Sequence, residues 1–261
     1  MKYITSIWTT VFLFVGLLGL RVFDLPLVEQ VRLITFDQYI QSLPDKKSEQ
    51  IVVLNIGENS LEQLGQYPFP RQTYAQLISD LRDANAGMIA FTFMFPEADR
   101  FAGDEVFASW INSNGVILAQ DADPDGRSKT APYVGTATFG SGDPLDWLIK
   151  YDGLVTNIPQ LEKEAWGHGL INAMPEVDGL VRRIPLVSQI DNKLYPSFAL
   201  ETIRVMQDRL SYTIKVNEVG VEEVIIRPFR IPSDANGSFW INPNYKFTEI
   251  EYGSELPNLG G

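Results

Sequence analysis

The sequence predicts an α/β fold, a mixed and partly parallel sheet flanked by helices and preceded by one N-terminal transmembrane helix. Three observations predict it. An uncharged apolar run occupies residues 3–20. Short β-branched runs of strand length alternate with segments in which apolar residues recur every three to four positions. No internal repeat or low-complexity linker interrupts the pattern, so one α/β domain after the first helix is the simplest account.

The first element is the apolar run, which has Lys2 before it and Arg21 after it. A bilayer core needs roughly 20 apolar residues, with a lower limit near 17. A cleaved signal peptide has a shorter apolar region, about 7–15 residues, and small residues before the cut, which are missing here. A buried core helix is the other alternative. We expect residues 1–23 to be an uncleaved signal anchor that crosses the membrane once, and residues 24–261 to form the domain.

The domain begins with a helix and a strand–helix–strand unit. Residues 27–43 predict a helix that is apolar on two sides, and such a helix is buried or shared between subunits. Residues 51–54 predict a buried strand, 74–81 a helix with one apolar stripe, and 88–91 a second strand. This order predicts a right-handed unit in which the two strands are parallel neighbours.

The rest of the chain continues the alternation. The patterns predict a helix at 103–112, strands at 115–119 and 133–139, an edge strand at 181–190 because it contains a proline, and a helix at 197–210. Residues 212–216 and 224–226 predict a hairpin. Asn236-Gly237 predicts a hairpin turn that leads into a strand at 239–241.

Composition limits the function. A net charge of -12 argues against nucleic acid as a partner and against a body lying flat on anionic lipid. The absence of cysteine excludes disulfides and thiolate metal sites. The single histidine, His168, excludes the common zinc sites, and no Gly-x-Ser-x-Gly elbow accompanies it. Asp121-x-Asp123-x-Asp125-Gly126 is only the first half of a calcium loop, so we predict a solvated acidic turn. We expect no catalytic residue, no metal and no cofactor.

Several motifs resemble, in order and spacing, the type-two CHASE domain. That family is the extracytoplasmic sensor of bacterial adenylate cyclases, diguanylate cyclases and histidine kinases. The resemblance covers nearly all of the chain after the first strand, and the family has Asp where this chain has Gly57 and Thr92. The matching residues are Ile56-Gly57-Glu58, Ser60-Leu61, Leu64-Gly65, Tyr67-Pro68-Phe69-Pro70-Arg71, Thr92-Phe93-Met94-Phe95 with Glu97, Asp178-Gly179-Leu180-Val181-Arg182-Arg183, and Pro196-Ser197-Phe198-Ala199-Leu200.

The resemblance implies the sensory domain of a membrane-bound bacterial signal-transduction receptor, with the domain in the periplasm or outside the cell. Such a domain senses a small ligand or a protein and signals through the membrane. In the family the sensor continues into membrane helices and a cytoplasmic output domain, so we expect this chain to be truncated at its C-terminal end. Output cyclases and kinases work as dimers, which implies a homodimer. The alternatives are an envelope α/β enzyme and a partner-binding domain without a small-molecule ligand.

The candidate ligand-binding residues are polar and aromatic side chains in these motifs. Arg71 is expected either to tie down a turn through backbone carbonyls or Glu58, or to clamp an anion. Arg182 and Arg183 lie in a predicted strand and so face opposite sides, and we expect one to meet Asp178 or another carboxylate and the other to be solvated. We predict that Tyr67 and Phe69 are core aromatics that line a pocket. The full set is Glu58, Tyr67, Phe69, Arg71, Glu97, Asp178 and Arg182.

Overall fold

The structure, a computed structural model, describes residues 7–22, 26–123, 125–126, 135–253 and 259. The chain divides into two compact units. The first consists of Met1–Lys47, Pro175–Arg182 and Asn242–Lys246. The second consists of Ser48–Met174, Arg183–Ile241 and Phe247–Gly261. Each unit therefore combines segments that lie far apart in the sequence.

The first unit contains two helices, α1 (Ile7–Val22) and α2 (Pro26–Ser42). The apolar side chains of α1 are exposed, and Phe12 reaches 79%. Within the described residues, no helix has both the length and the apolar character that a membrane span requires. The predicted helix at 27–43 is confirmed as α2. It is apolar on two sides, but only one side is covered, because Leu33 is 1% exposed and Val31 is 64% exposed.

The second unit holds the remaining helices and most of the strands. Five further α-helices are α3 (Glu58–Leu64), α4 (Arg71–Asp83), α5 (Asp104–Asn114), α6 (Pro159–Glu164) and α7 (Phe198–Met206). The strands are β1 (Lys46–Asn55), β2 (Ile89–Phe91), β3 (Val116–Asp123), β4 (Gly135–Gly140), β5 (Lys150–Tyr151), β6 (Gly153–Val155), β7 (Gly167–Leu170), β8 (Arg183–Pro185), β9 (Val187–Ile190), β10 (Lys193–Pro196), β11 (Ser211–Asn217), β12 (Gly220–Ile226), β13 (Phe229–Pro232), β14 (Ser238–Trp240) and β15 (Tyr245–Glu251).

The sheets are small and mixed, as the sequence predicted. Strand β3 pairs in parallel with β2 and β7 and antiparallel with β6. A second sheet has the order β13-β12-β11-β4, in which β11 is parallel to β4 and forms the predicted hairpin with β12. Shorter sheets are β10-β9-β5, β14-β8 and β1-β15.

An aromatic core fixes α4 and α5 against the sheet of β2 and β3. Tyr74, on the predicted apolar stripe of α4, is 1% exposed. Its ring lies 5.1 Å from that of Phe95 and 5.8 Å from that of Phe107, centroid to centroid. Phe91 meets Phe107 edge-on at 5.9 Å. Tilted and edge-on contacts of this kind add to the free energy gained by burying the rings.

Two predicted strand pairings are wrong. In the described residues β1 pairs with β15 and not with β2, and the parallel β-α-β unit is formed by β2, α5 and β3. Leu54 and Ile56 still pack on the same core as Ile89, so only the hydrogen-bonded partner differs. Strand β14 pairs with β8, so Asn236-Gly237 does not join two paired strands. In both cases the true partner lies far away in sequence, where a local pattern carries no information.

The other elements match with altered bounds. The predicted strand at 181–190 is interrupted at Leu186 and forms β8 and β9. The predicted strand at 133–139 is β4, and residues 133–134 lie outside the described residues. The helix at 197–210 ends at Met206. Its N-cap is Ser197, whose hydroxyl accepts from the amide of Leu200 at 3.3 Å.

Candidate functional site

Arg71, the first residue of α4, is held by contacts within the chain. Its Nε donates to Oδ1 of Asp104 at 3.1 Å, and its Nη2 donates to the carbonyl of Glu97 at 2.7 Å. The guanidinium carbon lies 4.5 Å from the centre of the Phe95 ring. With a side chain only 9% exposed, Arg71 ties down the loop between β2 and α5. Of the two roles expected for Arg71, the structure shows the one in which it holds a turn. The carboxylate that it contacts is Asp104 and not Glu58.

The neighbouring candidates differ in exposure. Phe69 is 2% exposed and is a core aromatic as predicted, but Tyr67 is 48% exposed and is not. The two rings meet edge-on with their centres 5.7 Å apart. The side chains of Glu58 and Glu97 are exposed.

The position of Gly57 is filled by a carboxylate from another strand. A Cβ atom placed on Gly57 would lie 2.4 Å from Oε1 of Glu251, at the end of β15. The Glu251 carboxylate accepts from the amide of Asn59 at 2.9 Å and from its side-chain amide at 2.7 Å. It also accepts from the amide of Ser60 at 3.3 Å. Glu251 therefore caps the N-terminus of α3, where free backbone amides need an acceptor.

In the first unit, Arg182 joins α2 to the segment Pro175–Arg182. Its Nε and Nη2 donate to the two oxygens of Asp37 at 2.7 and 2.6 Å. Its Nη1 and Nη2 donate to the two oxygens of Asp178 at 2.8 and 2.7 Å. Both carboxylates are thus bound in the bidentate geometry that suits a planar guanidinium. We call Asp37, Asp178 and Arg182 the arginine clamp.

The electrostatics of the arginine clamp follow from these bonds. Hydrogen bonds from Arg182 lower the pKa of Asp178 to about 2 and lower that of Asp37 as well. Arg182 itself is 5% exposed. The predicted contact with Asp178 is confirmed. The prediction that the second arginine is solvated is wrong, because Arg183 pairs with Asp234 at 3.0 Å.

A polar cluster lies inside the second unit, around Glu162 of α6. The carboxylate is 5% exposed, and its Oε2 lies 2.9 Å from Nε2 of His168 on β7. Oε1 accepts from the backbone and side-chain amides of Asn157 at 2.8 Å each. Gln120 on β3 donates to Oε2 at 3.1 Å. Burial raises the pKa of Glu162, but the hydrogen bonds from His168 and Asn157 outweigh burial, so the pKa lies below its usual value.

The sequence Gly167-His168-Gly169 is explained by what lies on each side of β7. A Cβ on Gly169 would lie 2.3 Å from Cα of Phe198, the first residue of α7. A Cβ on Gly167 would lie 2.6 Å from Oε1 of Glu201, also on α7. Because side chains alternate along a strand, both glycines face α7 and His168 faces the opposite side. The close approach of the α7 backbone requires glycine at position 169, whereas the atoms beside Gly167 belong to side chains.

Sequence reasoning missed three residues of these clusters. Asp37 carried a weak signal, because it lies four positions after Leu33 and borders the buried face of its helix. Glu162 and Glu251 carried none. Their partners, His168 and Asn59, lie on other elements, and nothing in the local pattern separates them from the surface carboxylates of an acidic chain.

The prediction that the half calcium loop is a solvated turn is wrong for the first part of the loop. Asp121 and Asp123 lie in β3, and Asp123 is 3% exposed. Oδ1 of Asp123 accepts from the amide of Asp125 at 3.0 Å, while residues 124 and 127–134 lie outside the described residues. Among the residues that are described, no three His, Asp or Glu side chains are grouped so as to hold a metal ion.

The chain matches the family model of the CHASE2 domain over residues 9–256. The chain belongs to the CHASE2 family. No curated protein and no solved structure matches it. CHASE2 domains are extracytoplasmic sensory domains and are not themselves catalytic.

Membership of the CHASE2 family confirms the resemblance read from the motifs, and it gives this chain a sensor role. Several of those motifs now have structural meaning within the CHASE2 domain. Arg71 holds the β2–α5 loop, Arg182 forms the arginine clamp, and Ser197 caps α7. At Gly57, where the resemblance expects an aspartate, Glu251 places a carboxylate at the start of α3.

Proposed function

We propose that this CHASE2 domain is the sensory part of a membrane-bound bacterial signal-transduction receptor. Residues 1–23 anchor it by a single membrane pass, residues 24–261 stand in the periplasm or outside the cell, and the stimulus is passed through the anchor. The family supports the sensor role. The uncharged run at 3–20 and the exposed apolar side chains of α1 support the anchor, because such a surface is stable only when lipid or protein covers it.

The arginine clamp is the observation that carries the signalling proposal. It fixes the segment Pro175–Arg182 to α2, the helix that follows α1 in the chain. The residue after Arg182 begins β8, so the chain runs directly from the arginine clamp into a strand of the second unit. The segment that ends at Arg182 is thus held to α2 by one buried guanidinium. A stimulus can shift the equilibrium between two receptor states by no more than the difference in its binding free energy for the two states.

For direct contact with a small ligand or protein we propose the exposed members of the predicted set, Glu58, Tyr67 and Glu97. Contacts within the chain occupy Arg71 and Phe69 in the second unit, and Asp178 and Arg182 in the first unit. We also propose a homodimer, for which the uncovered side of α2 at Val31 offers an apolar surface. Chemical cross-linking in membranes tests that proposal.

The absence of cysteine in this chain allows a direct test of anchoring and orientation. Glu218→Cys places one thiol on an exposed residue of the second unit. We expect a membrane-impermeant maleimide to label it in whole cells, and carbonate washing to leave the protein in the membrane. A cysteine at Lys2, which the proposal places inside the cell, is the matched control and should react only after lysis.

Labelling of both positions only after lysis would refute the proposed location. Ligand sensing is tested separately by a thermal-shift screen on the full chain. A stabilising ligand whose effect is lost in Tyr67→Ala but kept in Tyr245→Ala, an exposed tyrosine elsewhere, supports the proposal. A specific protein partner with no small-molecule stabilisation would favour the partner-binding alternative.

A further inference from the structure

The only histidine among the 261 residues is buried against a carboxylate. The side chain of His168 is 13% exposed and that of Glu162 is 5% exposed. Their Nε2 and Oε2 atoms lie 2.9 Å apart. Histidine is the side chain whose ordinary pKa puts its change of charge between about pH 5 and pH 8. A buried imidazole paired with a carboxylate is therefore a group whose charge external pH can set.

The other partners of Glu162 cannot change charge. Asn157 and Gln120 donate neutral amide hydrogens to it at 2.8 and 3.1 Å. The imidazole of His168 is the one titratable group among these contacts. The ionisable residues on the strands and helices packed against β7 are Asp121 and Asp123 of β3, Glu201 and Arg204 of α7, and Lys193 and Tyr195 of β10. Glu201 contacts the backbone amide of His168 at 3.3 Å and pairs with Arg204 at 2.7 Å.

The carboxylate is charged when the imidazole beside it is charged. The pKa of Glu162 lies below its usual value of 4.5, because the hydrogen bonds from His168 and Asn157 and the positive charge of His168 together outweigh the effect of burial. A proton taken up by His168 from solvent therefore places a positive charge beside a buried anion. The 2.9 Å contact becomes an ion pair, which is stronger where water is excluded.

We infer that His168 and Glu162 form a proton-binding site, and that the stimulus this sensor receives is external pH. The inference rests on the proposed function in that it names the stimulus. Strengthening of the pair draws α6 towards β7. On its other side β7 touches α7 through Gly167 and Gly169. Protonation therefore acts on two helices that contact opposite faces of one strand.

The test uses the full chain in detergent micelles, labelled so that the imidazole carbons are seen by NMR. Because only one histidine exists, its signals need no assignment. We expect their dependence on pH, measured between about pH 5 and pH 8, to differ between the wild type and Glu162→Gln. We also expect the difference in Tm between the wild type and His168→Gln to change by about 2–4 °C over the same interval. Glu162→Gln should abolish most of this change, and Glu105→Gln, an exposed carboxylate on α5, should retain it.

A difference in Tm that stays constant with pH would overturn the inference, as would identical imidazole titrations in the wild type and Glu162→Gln. If His168→Gln does not fold, the comparison of those two titrations decides the question alone. Failure here leaves the anchor and its orientation intact, since cysteine labelling measures them independently. The proton would then be excluded as the stimulus, while the proposed receptor would stand.

Discussion

The cap that Glu251 places on α3 gives a prediction whose size a second substitution should change. Gly57 has φ -109° and ψ -165°, an extended conformation that alanine also adopts. Gly57→Ala therefore introduces no backbone strain. It introduces a Cβ atom 2.4 Å from the present position of Oε1 of Glu251, so the flexible carboxylate must move away from the amides of Asn59 and Ser60.

Two effects of opposite sign decide the result. Loss of a helix cap costs about 0.5–2 kcal/mol, and the contact with the Asn59 side chain is lost as well. Replacing glycine by alanine in a compatible conformation gains about 0.4–1 kcal/mol by restricting the unfolded chain. Gly57 is the N-cap of α3, where glycine is preferred over alanine, so this gain is largely cancelled. We expect Gly57→Ala to lower the free energy of unfolding by about 0.5–2 kcal/mol, because nothing offsets the lost contacts of Glu251.

The refuting result comes from a double-mutant cycle measured by urea unfolding with circular dichroism. In the Glu251→Ala background these contacts are already absent, so Gly57→Ala should change the free energy of unfolding by less than about 0.5 kcal/mol. The coupling energy between the two positions is then about 0.5–2 kcal/mol. Additive effects, with equal destabilisation by Gly57→Ala in both backgrounds, would show that Glu251 does not occupy the space beside Gly57.

Three further predictions concern the other clusters. Arg182→Gln should increase hydrogen exchange and proteolysis of residues 175–182. Asp37→Asn should increase them less, because asparagine retains an oxygen acceptor. Equal protection of this segment in the wild type and both variants would contradict the arginine clamp. The pKa of Glu162 is lowered in the folded protein, so its stabilising contribution is complete above about pH 4.5. This contribution is lost as the pH falls through the lower pKa of the folded state. Acid unfolding of Glu162→Gln should therefore depend less on pH in that range than acid unfolding of the wild type. Gly169→Ala should lower the free energy of unfolding in urea by about 1–3 kcal/mol or more, since its Cβ meets backbone, whereas Gly87→Ala, with no atom within 4 Å, should have little effect.

The sequence predicted the elements whose evidence is local. The stripe of Tyr74, Leu77 and Ile78 defined α4, and all three side chains are buried. The alternation in β11 and β12 defined a hairpin because its two strands are close in the chain. Local patterns report which face of an element is buried, and this information is enough for the helices and for hairpins.

Pairings and contacts between distant segments could not be predicted. Strand β1 pairs with β15, and Asn59 donates hydrogen bonds to Glu251, because these segments meet only in the folded chain. The same limit explains the candidate site. Arg71 was correctly singled out by its rigid proline-rich setting, but its partner Asp104 lies on a helix 33 positions further along. The arginine clamp was half predicted, since Asp178 is a local partner of Arg182 and Asp37 is not.

The two glycines of β7 also bear on how far a small movement can travel. Most helices rest on a sheet through a layer of side chains, and such a layer can absorb a displacement by changing rotamers. At Gly169 that layer is missing, and the backbone of Phe198, the first residue of α7, lies directly on the strand. A displacement of the strand at this point is therefore passed to the start of the helix without rotamer changes in between.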